Sequence, residues 1–349
     1  MKVTEKLKFY WILWVLFPAA LAGCGEPSEM EMEVPIPGKL VYVEDFAGRH
    51  GVLAGRFGDL VLIDGNKNRR YALTDDHYYY AYPNLVNNGK EVWFESKRGD
   101  DLWPAGLGSR SDLYSLDVET RQVRNIRDSL STVFGVPLEL GISKFSVSPS
   151  DTRVVFSMRD RNNPDESSLT SFFYIGKDEQ HLKRVENRLT REPIDHTFWA
   201  HDESKIAYEM MVRYGLVYTY DIENQEHRNL SNDFLESISR VFCRSGSWQN
   251  NKGFVYMCRE NVGNRSIIYK YNYEEDASTI IAEIVKDNFL IRSLHISRDG
   301  NYLVFIGRTM QNYKILKSAI YVYDLETDEM ESFAVNKREK RWLRWYEDL

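Results

Sequence analysis

Residues 296–305 read Ile296-Ser-Arg-Asp-Gly-Asn-Tyr-Leu-Val-Phe305, an apolar residue followed by a polar turn and an apolar β-run. Asp, Asn and Gly favour a tight reversal, and apolar runs on both sides of it predict a β-hairpin. Four more segments show an apolar residue at each end with turn residues between: 85–94, 147–156, 199–208 and 248–257. Self-similarity of this kind indicates one supersecondary unit that is used repeatedly.

A second apolar run with a central tyrosine follows each hairpin, as in Ala319-Ile-Tyr-Val-Tyr-Asp324. The recurring tyrosines are Tyr114, Tyr174, Tyr218, Tyr269 and Tyr321. A turn and a short fourth β-run, such as 228–231, end each unit. Four antiparallel strands per unit are typical of a β-propeller blade.

The spacing of the hairpins predicts six blades. Their first residues are 85, 147, 199, 248 and 296, so a further hairpin is due near 345, where Trp345 stands. Residues 39–43 read as a second strand that no first strand precedes. We therefore expect the C-terminal strand to complete the N-terminal blade, which closes the ring and removes the open edge. The predicted fold class is an all-β, six-bladed β-propeller of four-stranded antiparallel blades over residues 38–349.

The repeats resemble the WD40-like repeats of TolB-type six-bladed propellers, whose pattern is roughly Trp-Ser-Pro-Asp-Gly, a β-run, and Ile-Tyr with Asp. The resemblance is closest at Val147-Ser-Pro-Ser-Asp151 and Ser297-Arg-Asp-Gly300, and the other copies are degenerate. It implies a propeller that binds proteins of the cell envelope. Two stacked β-sandwiches are the structural alternative, but they would not predict a half-unit at each end of the chain.

The N-terminus reads as a targeting segment. Three lysines precede an apolar run over 9–20 that is too short to span a bilayer as a helix. Leu21, Ala22, Gly23 and Cys24 then resemble the bacterial lipobox, which implies cleavage before Cys24 and lipid on its thiol and new amine. Several acyl chains would anchor the chain stably in a membrane. An ordinary signal peptide with a chance cysteine is the alternative. The expected location is the bacterial cell envelope, on the periplasmic side of the outer membrane where the host has one.

Charge and composition bound the partners. The chain of 349 residues has a net charge of −7, and removal of residues 1–23, with three lysines and one glutamate, brings it to −9. This acidic balance argues against nucleic acid, since phosphate binding needs a basic face. Residues 24–37 are acidic and Pro-rich, and they predict an extended tether between the lipid and the propeller.

Catalytic motifs are missing from the sequence. There is no Gly-x-Ser-x-Gly elbow, no His-Glu-x-x-His and no EF-hand loop. The seven histidines show no close metal-like spacing within one element. We therefore expect no catalytic residue, no metal and no cofactor, although a propeller can gather ligands from separate blades around its axis.

Candidate contact residues lie in loops and at strand entrances. An insertion over 99–110 carries Trp103, and Tyr78, Tyr80 and Tyr82 form an aromatic cluster. Loops between second and third strands emerge on the same face as the links between blades, and loops on a rigid scaffold often bind. The cluster enters a strand, so half of its rings are expected to pack between blades instead.

Two functions from different classes follow. The first is a lipid-anchored, non-catalytic interaction module, monomeric outside its complex, that docks an envelope protein through its loop face or axial funnel. The alternative is an envelope enzyme or binder that acts on a carbohydrate or peptide at the axis.

Cys243 and Cys258 flank the turn of one hairpin. If Trp248 pairs with Gly253, the two cysteines lie directly opposite each other, whereas a shifted register makes them diagonal. In both registers their side chains share a face, because same-face residues repeat every second position. Disulfide formation and two reduced, buried thiols are both open.

Overall fold

The computed structural model describes thirteen stretches of the chain, and everything below concerns them: residues 29–45, 58–76, 78–96, 112–126, 140–160, 171–176, 183–185, 194–210, 215–231, 241–260, 265–312, 314–336 and 338–347. All of their regular secondary structure is β-strand. Within these stretches no helix is long and apolar enough to cross a membrane.

The strands form one five-stranded and five four-stranded antiparallel sheets, numbered here as blades 1 to 6. Blade 1 holds β1 (Glu29–Glu31), β2 (Lys39–Asp45), β3 (Gly58–Asp64), β4 (Arg69–Ala72) and the C-terminal β25 (Glu339–Tyr346). Blade 2 holds β5 (Tyr80–Val86), β6 (Glu91–Ser96), β7 (Asp112–Asp117) and β8 (Val123–Asn125). Blade 3 holds β9 (Leu140–Val147), β10 (Arg153–Asp160), β11 (Ser171–Gly176) and β12 (Lys183–Val185).

The remaining three blades follow the same order. Blade 4 holds β13 (Ile194–Trp199), β14 (Lys205–Met210), β15 (Leu216–Asp221) and β16 (Glu226–Asn229). Blade 5 holds β17 (Val241–Trp248), β18 (Gly253–Glu260), β19 (Arg265–Asn272) and β20 (Ala277–Val285). Blade 6 holds β21 (Phe289–Ile296), β22 (Tyr302–Gln311), β23 (Lys314–Asp324) and β24 (Met330–Asn336). The predicted all-β propeller of antiparallel blades is confirmed.

The ring closes through the two ends of the chain. Strand β25 pairs with β2 from Lys39↔Tyr346 to Asp45↔Glu339, as the half-units at the termini predicted. The inner strands β5, β9, β13, β17, β21 and β25 contact one another in that order, and β25 returns to β5. Closure leaves no inner edge open to pairing with another chain.

The core lies between blades. Six buried apolar clusters each join neighbouring blades, as the cluster of Phe198, Val217, Trp248 and Tyr256 joins blades 4 and 5. The repeated tyrosine of the third strand stacks on an aromatic ring of the second strand in four blades: Phe94 and Tyr114, Tyr208 and Tyr218, Tyr256 and Tyr269, Phe305 and Tyr321. The repeat therefore encodes the faces that hold one blade against the next.

Hairpin anchors and turns connect the blades on one face of the ring. The indole of Trp248 donates a hydrogen bond to the carbonyl oxygen of Phe198 in blade 4, at 3.1 Å. Backbone amides of four turns donate to side chains of a neighbouring turn: Asn87 to Asp151, Ser150 to Glu203, Asp202 to Asn251 and Arg298 to Glu347. We call this side the turn face and the opposite side, where the links between blades enter, the loop face.

Every inner strand carries a β-bulge opposite its second strand. Four residues at these bulges take a positive φ near 50°: Tyr82, Lys144, Ser293 and Trp342. A bulge re-aims side chains and raises the local twist. In this ring the bulges set which side chains reach the axis.

The predicted tether over 24–37 is wrong for its second half. Glu29–Glu31 forms β1 and pairs with β4 as a fifth strand of blade 1. Val34 and Ile36 are buried in the apolar cluster between blades 6 and 1. The proline and glutamate content of the segment predicted that it is solvated. However, Val34 and Ile36, two positions apart, bury enough apolar surface to hold the segment on the blade. The described part of the propeller therefore includes Glu29, and residues 24–28 lie outside the described residues.

Candidate functional site

Two cavities lie on the axis of the ring, one toward each face. The cavity nearer the loop face has a volume of about 290 Å³, and we call it the arginine cavity. Its lining consists of His196, Phe198, Glu209, Arg244, Arg292, Ser293, Arg308, Glu339, Arg341 and Trp342. The cavity nearer the turn face measures about 270 Å³ and is lined by strand ends and hairpin turns, including Asn88, His201, Arg298 and Glu347.

Three arginines occupy one position of the repeat. Arg244, Arg292 and Arg341 stand in the inner strands of blades 5, 6 and 1, each four residues before the apolar residue that starts the hairpin. Because those blades are consecutive, the arginines form one cationic wall of the cavity. Arg308 adds a fourth guanidinium from the second strand of blade 6.

Buried carboxylates hold this wall in place. Glu209, fully buried, lies 3.2 Å from Arg244, joining blades 4 and 5. Glu339 lies 2.6 Å from Arg308 and 2.7 Å from Arg341, and Asp45 lies 3.6 Å from Arg341. Planar guanidinium groups fixed by carboxylates keep one geometry and lose little side-chain entropy when they bind a ligand.

Burial and neighbouring positive charges lower the pKa of Arg308. Burial lowers the pKa of Arg308 to about 10; Glu339 opposes that shift, and the neighbouring guanidinium groups of Arg341 and Arg244 add to it. Arg308 stays protonated at neutral pH. Its Nε and that of Arg341 are buried donors without a hydrogen-bond partner among the described residues. Such unmet buried donors cost free energy.

Aromatic rings form the other wall. Trp342 lies 5.6 Å from the ring of Tyr82 and 5.7 Å from the guanidinium carbon of Arg341. The ring of His196 lies 5.8 Å from that of Tyr82. The cavity thus joins a flat apolar surface to a row of charges.

A plug separates the two cavities. The guanidinium of Arg344 lies 4.1 Å above the ring of Phe198 and donates to the carbonyl oxygen of Thr197 at 2.8 Å. His295 Nε2 lies 2.9 Å from the carbonyl oxygen of Leu343, and its imidazole meets the ring of Phe198 edge-on. Burial lowers the pKa of His295 to about 3, with a smaller contribution from Arg344, so this ring is neutral at pH 7.

The predicted contact residues have different fates. Tyr80 is fully buried and its hydroxyl donates to Asp76, so it is not a surface contact. Tyr82 is 8% exposed and supports the arginine cavity from behind Trp342. Tyr78 is 44% exposed beside the entrance of an inner strand and stays a candidate contact. Trp103 of the insertion, and the lipobox residues up to Cys24, lie outside the described residues.

Cys243 and Cys258 are directly paired between β17 and β18, with Cα atoms 4.0 Å apart, and the structure joins them by a disulfide. Trp248 pairs with Phe254 rather than Gly253, because a bulge lies between Ser245 and Trp248. The bond ties down the inner strand next to Arg244.

The arginine wall was missed in the sequence, although a signal existed. Aligning the inner strands on their hairpin anchors places arginine at the same position in three of six blades, whereas histidine spacing and loop aromatics do not point to this position. No group of three His, Cys, Asp or Glu that could hold a metal occurs in the described stretches.

Comparisons with known proteins give the fold and not a family. No protein-family profile matches the sequence. No curated protein matches it either. Among solved structures, TolB from Acinetobacter baumannii is similar, with a TM-score of 0.61, 14% identity, and coverage of 94% of this chain and 69% of that one.

Two more solved structures share the fold. A putative TolB from Agrobacterium tumefaciens has a TM-score of 0.56 at 10% identity, covering 88% of this chain and 98% of the other. An oligogalacturonate lyase in complex with manganese has a TM-score of 0.54 at 11% identity, covering 88% and 85%. At such low identity, proteins that share a fold differ in function. The chain has the all-β propeller fold of TolB-like structures.

Proposed function

We propose that this chain is a lipid-anchored propeller of the bacterial cell envelope that acts as a non-catalytic protein-interaction module and docks an envelope protein at the axis of its loop face. The lipobox at Leu21 to Cys24 supports the anchor and the location. The likeness to TolB-type structures supports the propeller scaffold.

The observation that carries the proposal is the arginine cavity. Four guanidinium groups, three of them paired with buried carboxylates, stand beside Trp342 at the axis near the loop face. Arginine and aromatic residues in partly desolvated pockets are the residue types that dominate protein interfaces. Because the plug of Phe198 and Arg344 closes the axis behind this cavity, it forms a pocket for an inserted side chain rather than a through-channel.

Site-specific photo-crosslinking in the native cells tests the proposal. A benzoylphenylalanine at Tyr78, 44% exposed at the loop face, replaces one aromatic ring with another. The matched control is Tyr302, 36% exposed, which directly follows a hairpin turn on the turn face. We expect one protein adduct from position 78 and none from position 302, identified by mass spectrometry.

Two outcomes would overturn the docking function. Equal yields of adduct from both positions would show that the partner does not prefer the loop face. The absence of any protein adduct from position 78 would show that no protein docks there. Turnover of an acidic oligosaccharide or a peptide by the purified chain, lost on changing a residue of the arginine cavity, would establish the enzyme alternative instead.

A further inference from the structure

The arginine cavity has more positive than negative charge. Among the residues that the structure describes, four arginines and two glutamates line it, an excess of two. Asp45, which lies behind Arg341, still leaves an excess of one. The side chains of Arg341 and Arg244 are 23% and 16% exposed, so water and a ligand can reach the wall.

Guanidinium donors remain after the internal ion pairs are made. Arg308 donates through Nη2 to the carbonyl oxygen of Lys340 and through Nη1 to Glu339, which uses two of its five N–H donors. Arg341 uses Nη2 toward Glu339 and Asp45, and its Nε–H has no partner among the described residues. A guanidinium has five donors in a rigid fork that matches the two oxygens of a carboxylate.

We infer that the arginine cavity is a carboxylate-binding site that takes an acidic side chain from a peptide segment of the partner, with its carboxylate held by Arg341, Arg292 and Arg308 and its stem against Trp342. This inference rests on the proposed docking function and names the chemistry that the docking site recognises.

The size of the cavity favours a single acidic residue over a sugar chain. Its volume of about 290 Å³ is roughly that of ten water molecules and lies at the lower end of small-molecule pockets. One glutamate or aspartate with its backbone fits this space, whereas a row of uronate rings needs a longer groove. Trp342 supplies a flat surface for the aliphatic stem.

Ser293 offers a test that leaves all four arginines in place. It lines the cavity, and its φ of 50° is one that Asp and Asn tolerate better than most residues. Ser293→Asp places an internal carboxylate among the guanidinium groups, and Ser293→Asn is its neutral match. We expect the internal charge to compete with an incoming carboxylate and to repel it.

The probe is the peptide acetyl-Asp-Glu-Asp-amide, titrated calorimetrically into the mature chain in detergent, with acetyl-Asn-Gln-Asn-amide as the neutral peptide. We expect the acidic peptide to bind wild type and Ser293→Asn equally and Ser293→Asp at least about tenfold more weakly. Arg341→Gln should weaken binding similarly. Arg265→Gln removes the same charge from the outer part of blade 5, where Arg265 pairs with Glu283, and should bind as wild type does.

Several results would overturn the inference. Equal affinity of Ser293→Asp and Ser293→Asn for the acidic peptide would show that the cavity does not recognise carboxylates. Equal binding of the acidic and neutral peptides would show the same. Binding of trigalacturonate but not of the acidic peptide would assign the site to an acidic sugar. Binding of inorganic phosphate with the affinity of the peptide would reduce it to a general anion site.

Failure of this inference and failure of the docking function can be told apart. A protein adduct from Tyr78 that persists in Ser293→Asp cells would support the docking function and contradict recognition of a carboxylate. Carboxylate-dependent peptide binding without any adduct in cells would support the carboxylate-binding site and contradict the docking function.

Discussion

The guanidinium of Arg344 in blade 1 stacks 4.1 Å above the ring of Phe198 in blade 4, so the two residues span the ring between blades that face each other. The six apolar clusters join neighbouring blades, whereas this contact crosses the axis. It therefore couples the closing strand β25 to the far side of the propeller and separates the two axial cavities.

Arg344→Ala should lower the free energy of unfolding by about 2–4 kcal/mol, since it removes a desolvated cation–π contact and a hydrogen bond to Thr197. Urea titration followed by tryptophan fluorescence measures the change. The control is Arg124→Ala, whose exposed ion pair with Glu91 should contribute less than about 1 kcal/mol. Equal effects of the two variants would show that the axial contact is not stabilising.

His295 makes stability depend on pH in the acid range. Burial lowers its pKa from 6.5 to about 3, and Arg344 and His196 lower it further, whereas the carbonyl oxygen of Leu343 raises it. Below pH 6.5 the unfolded chain binds a proton at this histidine, whereas the folded chain does not. The contribution of His295 to the free energy of unfolding is therefore fully present above pH 6.5. It falls by up to about 1.4 kcal/mol per pH unit on acidification toward pH 3.

His295→Asn removes this titration while it keeps a donor for the carbonyl oxygen. Urea midpoints at several pH values between 4 and 8, a range of about four units around the unfolded pKa, should fall less steeply for the variant than for wild type. Parallel curves for the two proteins would place the acid sensitivity elsewhere.

Ring closure should be essential for the whole domain. Deletion of residues 341–349 removes most of β25, leaves β2 unpaired on its inner edge and takes Leu343 from the core between blades 6 and 1. We expect a loss above about 4 kcal/mol, seen as a large fall in the thermal midpoint or as aggregation. Deletion of residues 348–349 alone leaves β25 intact and should change little. Unchanged unfolding after the longer deletion would contradict the closed ring.

The scaffold was readable because its signals are local. Turn residues between apolar runs fixed the hairpins, and the repeated Tyr218 and Tyr269 marked third strands that stack as their position requires. Counting back along two strands placed Cys243 and Cys258 on one face, and the direct pairing is one of the two registers that the sequence left open, although the bulge before Trp248 made the assumed partner Gly253 wrong.

The candidate site was harder to predict from the sequence, because its residues come from different blades. Arg244 and Glu209 come from different blades and are 35 residues apart, and nothing in either local sequence shows that they meet. Tyr80 and Tyr78 look alike in sequence, yet Tyr80 lies inside β5 and is buried, whereas Tyr78 precedes the strand and is exposed. The segment of Val34 and Ile36 read as a tether because its composition outweighed two apolar residues whose docking surface is made by distant strands.

Cys24 is predicted to be the lipidated residue, on the lipobox formed with Leu21, Ala22 and Gly23. Cys24→Ala should leave an uncleaved precursor that takes up no labelled palmitate, because both lipid transfer and cleavage depend on that thiol in the motif. Immunoblotting and metabolic labelling of native cells measure both effects. Normal maturation and membrane retention of Cys24→Ala would show that the assignment is wrong.

The disulfide between Cys243 and Cys258 should stabilise blade 5 moderately. It closes a loop with a sequence separation of 15, for which restriction of the unfolded chain is worth about 3 kcal/mol at most. The double variant Cys243→Ala, Cys258→Ala should lose about 1–3 kcal/mol, since both side chains are buried in the core between blades 4 and 5 and a small cavity adds to the loss. Reductant should lower the thermal midpoint of wild type and not that of the variant. Mass spectrometry after alkylation of denatured, unreduced protein should find neither thiol labelled, and labelling at both positions would show that the bond does not form in the native cells.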